Sequence, residues 1–260
     1  MKHQTIKLTA LSIIVLLQGL LTLKIIATGP VEKVDQLVTQ HAVFIFHTHG
    51  EESFSAKDMQ KVKTIADKTI ETMRNLMPGL AEKITFNIKL LDRDLGIVNG
   101  VTGRADLKDE IEISVSTQFE GGIGAAIDAG LEGVLFHELH HTIRGWVIKN
   151  NAFSPGIAIA AVNEGLADVF AETQVGHRLN TLTNDEDFDA WVKEILALPV
   201  TANYGQWMFM HPDGRIAVGY RSGEYVVKKA MQNSGKDIIE LSALSVAEIY
   251  QLAGYSYQQK

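Results

Sequence analysis

The segment Val134 to Ile143, VLFHELHHTI, constrains the fold more than any other part of this chain. Its two outer histidines stand four residues apart in an apolar pattern of helical spacing. Their imidazoles therefore project from one face, about one turn apart, and can share one tetrahedral metal ion. The H-E-x-x-H arrangement predicts a helix over Leu131 to Val147 with His137 and His141 as ligands. Glu138, the next residue along, can face the open position of such a metal, accept a proton from an activated water and pass it to a leaving group. The chain has no cysteine, so any metal site must use His, Asp and Glu, and disulfides and cysteine nucleophiles are excluded.

The next apolar helical stretch, Gly156 to Val175, follows a Gly/Pro-containing loop and carries Glu164 and Asp168 one turn apart in the segment AIAAVNEGLADVF. The 22 residues between His141 and Glu164 suffice to end the first helix, turn and come back antiparallel. Glu164 can then complete a three-ligand set that leaves the fourth position to water. Asp168 is placed to accept a hydrogen bond from the non-ligating nitrogen of a ligand histidine. Ordinary helix-surface charges are the bland alternative, but surface acids do not usually sit in so apolar a stretch. His140 reads most simply as a solvated histidine or a supporting neighbour of the ligands. His41, His47 and His49 flank a strand end, where a lone histidine is more often structural than part of a second metal site.

Along the chain, His41 to His47, Ile84 to Leu90 and Glu110 to Ser116 read as strands, the last after a Gly100/Gly103 turn region. Ser55 to Met77 reads as an amphipathic helix ended by Pro78-Gly79, and further helices are expected over Asp185 to Leu198, Gly223 to Gln232 and Ala243 to Ala253. Strands first and helices afterwards argue for an α+β fold. The 260 residues carry a formal net charge of -7 with no basic patch, which speaks against a nucleic-acid partner. Before Gly29-Pro30, Lys2 and Lys7 precede an uncharged run from Leu8 to Leu23. This reads as a signal peptide or membrane anchor over residues 1–29, ahead of one domain over 31–260, and predicts an exported or membrane-tethered protein. A buried first helix is the alternative.

The residues resemble the gluzincin zinc peptidases, whose thermolysin-like members pair H-E-x-x-H with a downstream N-E-x-x-x-D helix, matched by Asn163, Glu164 and Asp168. They are more similar still to a family of predicted bacterial zinc-dependent proteases with H-E-x-H-H followed by E-G-L-A. His137 to His141 and Glu164-Gly165-Leu166-Ala167 match that pattern, and Tyr220-Arg221-Ser222-Gly223 echoes it. The resemblance implies a zincin-like fold: a small, mostly antiparallel sheet with an edge strand over the cleft, an active-site helix and a helical C-terminal part. Glu110 to Ser116 is the candidate edge strand. It also implies one Zn2+ per chain and hydrolysis of a peptide or protein substrate, with Glu138 as general base. An oxyanion donor is still needed, and Tyr220, His211, Tyr204 and Arg221 are candidates, with Tyr220 preferred. Gln206 to Met210 reads as a pocket lining or, equally, as a core strand or loop. Two other functions remain open at this point: a zinc hydrolase acting on a non-protein amide, and a non-catalytic zinc-binding regulatory module.

Overall fold

The computed structural model describes residues 34–176 and 187–258. The apolar run Leu8 to Leu23 and its reading as a signal or anchor lie outside the described residues. Among those described, no helix is long and apolar enough to cross a membrane.

Five strands form one sheet: β1 (Val34–Val38), β2 (Ala42–His47), β3 (Ile84–Leu91), β4 (Val101–Leu107) and β5 (Glu110–Ser116), in the order β1-β2-β3-β5-β4. Their side chains alternate between two faces. Phe44, Phe46, Phe86, Ile88, Ile111 and Ile113 are buried on one. On the other, Asn87 bonds Glu110 at 3.1 Å and Lys89 pairs with Glu112 at 2.5 Å. Helices cover the apolar face.

The helices are α1 (Ala56–Leu76), α2 (Ile123–Arg144), α3 (Ile157–Val175), α4 (Phe188–Ala197), α5 (Tyr204–Met208), α6 (Val218–Ser234), α7 (Ile238–Ser242) and α8 (Val246–Leu252), of which α1 and α2 lie on the sheet. The first begins at a reciprocal cap between Ser55 and Asp58 and buries Val62, Ala66, Ile70 and Met73, which lie on one stripe. α2 and α3 are apolar almost all round because both are enclosed, α2 between the sheet, α1 and α3, and α3 between α2 and α6.

The chain is α+β, as its residue pattern indicates, with the expected active-site helix and helical C-terminal part. The sheet, however, is mixed rather than mostly antiparallel. β1–β2 and β4–β5 are antiparallel, whereas β2–β3 and β3–β5 are parallel. The 21-residue helix α1 makes β2 and β3 parallel, since a crossover of that length returns the chain in the same direction, and β3 and β5 are parallel because β5, turning back from β4, inserts between β4 and β3. The edge strand also differs from expectation. β5 is paired on both sides, and β4 forms the edge that lies along α2. Of the expected Gly100/Gly103 turn, Gly100 does turn, at a φ of 82°, but Gly103 lies within β4, which is disguised by that glycine and by alternating charges in VTGRADL. The expected helix Ala243 to Ala253 is the shorter α8, started by the box between Ser245 and Glu248, and a separate short helix not expected from the sequence, α7, precedes it behind the box between Asp237 and Glu240. Gln206 to Met210 is neither strand nor loop throughout, since Asn203 caps the short helix α5 across its first part.

Candidate metal centre

α2 and α3 run side by side and bring the two halves of the sequence motif together. His137 Nε2 and His141 Nε2 lie 3.2 Å and 3.1 Å from the same oxygen, Glu164 Oε2. The ligand atoms of the three residues all lie within 4.8 Å of one another, and this is the one His/Cys/Asp/Glu group among the described residues that could hold a metal ion. His41, His47 and His49 form no such group.

The outer atoms of two of the three, His137 and Glu164, are held in place, while the outer nitrogen of His141 is buried without a hydrogen-bond partner among the described residues. His137 Nδ1 meets Asp168 Oδ1 at 2.9 Å, so Asp168 sits where it fixes the tautomer and leaves Nε2 pointing inward. Trp146 Nε1 donates to Glu164 Oε1 at 2.8 Å. Trp146 reaches that position because α2 ends at Gly145, whose φ of 77° lies in the left-handed region and turns the chain back over the site. The sequence reading missed Trp146; the glycine and indole that directly follow the motif helix were the available signal. Asn163, buried beside Glu164, is bonded instead by Arg144 Nε at 3.0 Å. Arg144 also donates to the carbonyls of Ser242 and Leu244, so it ties α2, α3 and the segment after α7 together.

The carboxylate of Glu164 and the imidazole of His137 stabilise one another's charged forms. Burial alone would raise the carboxyl of Glu164, yet the charges and hydrogen bonds of His141 and His137 outweigh it and hold it far below the usual carboxylate range. Burial opposes a charge on His137, but its bond to Asp168 prevails and raises it well above the ordinary imidazole value. Two imidazole nitrogens and one carboxylate oxygen converging on one point, with the far sides of His137 and Glu164 bonded, form a donor set that fits zinc.

Glu138 is buried beside the triad and faces β4. It accepts a hydrogen bond from the backbone N–H of Ala105, and its carboxyl is raised, first by burial and further by Glu164, against the pull of His137 and His141. Room for it exists because residue 103 is glycine: a Cβ there would stand 2.5 Å from Glu138 Cγ. His137, Glu138, Asp168 and Tyr220 line one cleft of about 390 Å3 whose other walls come from β4, the turn at residues 97 and 98, and residues 208–217.

Of the four oxyanion-donor candidates, Tyr220 and Tyr204 have phenols pushed up by burial and by the Glu164 charge, whereas His211 and Arg221 are engaged elsewhere. Tyr220 lines the cleft, and burial followed by the Glu164 charge pushes its phenol well up. Tyr204 lies half exposed on α5 against Phe209. His211 is turned to Asp213 at 2.8 Å and packs on Trp207. Arg221 is buried over the rings of Phe188 and Trp191. His140 is not solvated: it is fully buried, and its Nε2 lies 2.9 Å from Ser242 Oγ.

No curated protein matches the chain. Among solved structures, an aminopeptidase N family protein from Idiomarina loihiensis is similar over 85% of this chain and 40% of its own length, at 11% identity and a TM-score of 0.38. The sequence from residue 62 to 251, from within α1 to the last turn of α8, matches one family model. By that match the chain belongs to the family described as predicted Zn-dependent protease (DUF2268).

Proposed function

We propose that this protein is a zinc-dependent peptidase in which His137, His141 and Glu164 hold one zinc ion and Glu138 acts as general base. The observation that carries this reading is the placement of Glu138, buried, in the cleft that His137 of the converging triad also lines. When bound, zinc would supply Lewis acidity, making a water more acidic and polarising a substrate carbonyl.

The chain's own residues account for the proton movements. Glu138, with its proton affinity increased by burial, accepts a proton from the attacking water as the water oxygen bonds to the carbonyl carbon. It returns that proton to the amide nitrogen as the C–N bond breaks. The Ala105 N–H steadies the carboxylate, and Gly103 leaves it the space to turn toward the substrate. Tyr220 remains a neutral phenol because of its burial, and in this role it donates to the oxygen on which negative charge develops. Asp168 and Trp146 keep the ligand atoms aimed. A purely binding module would have no use for Glu138, and a structural zinc site closes its fourth position with protein.

The test is to purify the full chain and its Glu138→Gln variant, measure zinc per chain, and expose both to a mixed peptide library with and without chelator. One zinc in each, with chelator-sensitive cleavage by the wild type alone, is the expected result. Zinc in both with cleavage in neither would overturn the peptidase reading; failure of either to bind zinc would overturn the ligand assignment.

A further inference from the structure

The cleft continues past the metal centre into a wall whose side chains have no use inside the fold. Ile97, Phe209, Met210 and Ile216 are 46%, 57%, 63% and 43% exposed, yet all four line this one cleft together with Val98 and Met208. Clustering of exposed large apolar side chains marks a contact surface rather than chance. Apart from Arg93, the charged residues of the lining are those of the metal centre itself.

The wall is preformed. Met210 and Ile216 are bridged in antiparallel fashion, the N–H of His211 donates to the carbonyl of Arg215 at 2.9 Å, and that of Ala217 to the carbonyl of Phe209 at 2.7 Å. The segment is sided. Its polar side chains turn away from the cleft: Arg215 grips both carboxylate oxygens of Glu194 on α4 at 2.7 Å and 3.1 Å, and also Asp213, and lies between the rings of Trp191 and Trp207. The apolar side chains are left for the cleft. The edge strand β4 contributes Val101, Thr102 and Gly103 to the same cleft. An extended peptide lying along such an edge places alternate side chains to one side, where this wall stands.

We infer that Phe209, Met210 and Ile216, facing Ile97 and Val98, form a subsite for one large apolar side chain of an extended peptide. The substrates are then peptides carrying leucine, methionine or phenylalanine next to the bond that is cut, a conclusion that rests on the peptidase reading above. The cleft volume of about 390 Å3 lies within the range of roughly 300–1,000 Å3 usual for clefts that enclose small ligands.

Binding tests this separately from cleavage. The full-length Glu138→Gln variant, loaded with zinc, is titrated into fluorescently labelled hexapeptides that differ at one central residue, Leu, Ala or Asp, and anisotropy is read. The Leu peptide should bind at least about tenfold more tightly than the Ala peptide, and Asp should be weakest. Adding Phe209→Ser with Met210→Ser, or Ile97→Ser alone on the facing wall, should reduce the Leu preference to under about threefold. The thermal midpoint should stay unchanged, since these side chains are largely exposed. Equal binding of the three peptides, a preference for Asp, no binding, or a Leu preference that survives both sets of substitutions would each overturn the subsite. If the wild type cuts peptides without regard to apolar residues, the subsite fails and the peptidase reading stands. If the Leu preference is seen but nothing is cut, the peptidase reading fails and the subsite stands.

Discussion

Gly103 of the edge strand and Glu138 of the motif helix are in direct contact: a Cβ at residue 103 would stand 2.5 Å from Glu138 Cγ and 2.7 Å from its Oε1. Such separations are closer than real Cβ contacts allow, so the strand passes the carboxylate only because residue 103 has no side chain. Gly103→Ala should therefore push Glu138 out of line while leaving the triad alone. Misplacing a reacting group by about 1 Å can cost about 100-fold in rate. The expected outcome is a fall in kcat/KM of that order with zinc content unchanged. Equal kcat/KM in the variant would show that Glu138 does not need this position.

Trp146 bonds the oxygen of Glu164 that does not face the histidines. Trp146→Phe keeps most of the apolar ring, which packs on Phe153, and removes the N–H. Loss of such a supporting bond typically weakens metal affinity about 10- to 100-fold. Competition with a chromophoric chelator should show that weakening, and Asp168→Ala, which frees His137 Nδ1, should show a similar one. A variant that competes for zinc as strongly as the wild type would remove Trp146 from this role.

What the sequence revealed of this site and what it hid follow from how local each signal is. His137, Glu138 and His141 are fixed by the period of one helix, and Glu164 and Asp168 by the period of the next, so both sets could be read from spacing. Trp146 and Gly103 could not, because each matters through a partner distant in the chain or across a turn. The same holds for Gly165. Its place in the E-G-L-A pattern is explained only by the crossing of α3 and α6, where a Cβ would collide with the backbone of Gly223, and one at Gly223 with the carbonyl of Ala161. Pairing direction was hidden for a related reason: alternation identifies a strand but not its neighbour. β4 was missed outright because the glycine that accommodates Glu138 looks like a turn residue.

On the solvent face of the sheet, Asp106 accepts bonds from Arg104 at 2.6 Å and 3.2 Å. This pairing, together with the charges of Arg104, Lys149 and Lys89, outweighs burial and holds its carboxyl below the usual aspartate value. A depressed carboxyl contributes stability above the unfolded value, about 3.9, and that contribution is lost as pH falls through the lower folded value. Arg104 is half exposed, so the contribution should stay under about 1 kcal/mol. Asp106→Asn should accordingly lower the urea midpoint slightly at pH 7, with the difference from wild type smaller in a second titration on the acid side of about 3.9. An unchanged gap at both pH values would mean that the pair is not its source.

His140 and His141 are neighbours with opposite duties, and metal content can separate them. Ser242 Oγ donates to the carbonyl of Ile238 at 2.7 Å, so His140 Nε2, 2.9 Å from that oxygen, carries the hydrogen and donates to it. Burial, reinforced by the nearby positive charges, holds the His140 imidazole well below its ordinary value and hence neutral. Its ring also lies 5.3 Å from that of Phe170, so it fills core space between α2, α3 and α7. His140→Ala removes a buried ring and a buried hydrogen bond, at a cost on the order of 2 kcal/mol. His141→Ala removes one of the three converging donors. Measured side by side after dialysis against limiting zinc, the His140 variant should keep one zinc per chain with a lower unfolding midpoint, and the His141 variant should lose its zinc. If the His140 variant lost zinc while keeping its unfolding midpoint, the two roles would have to be exchanged.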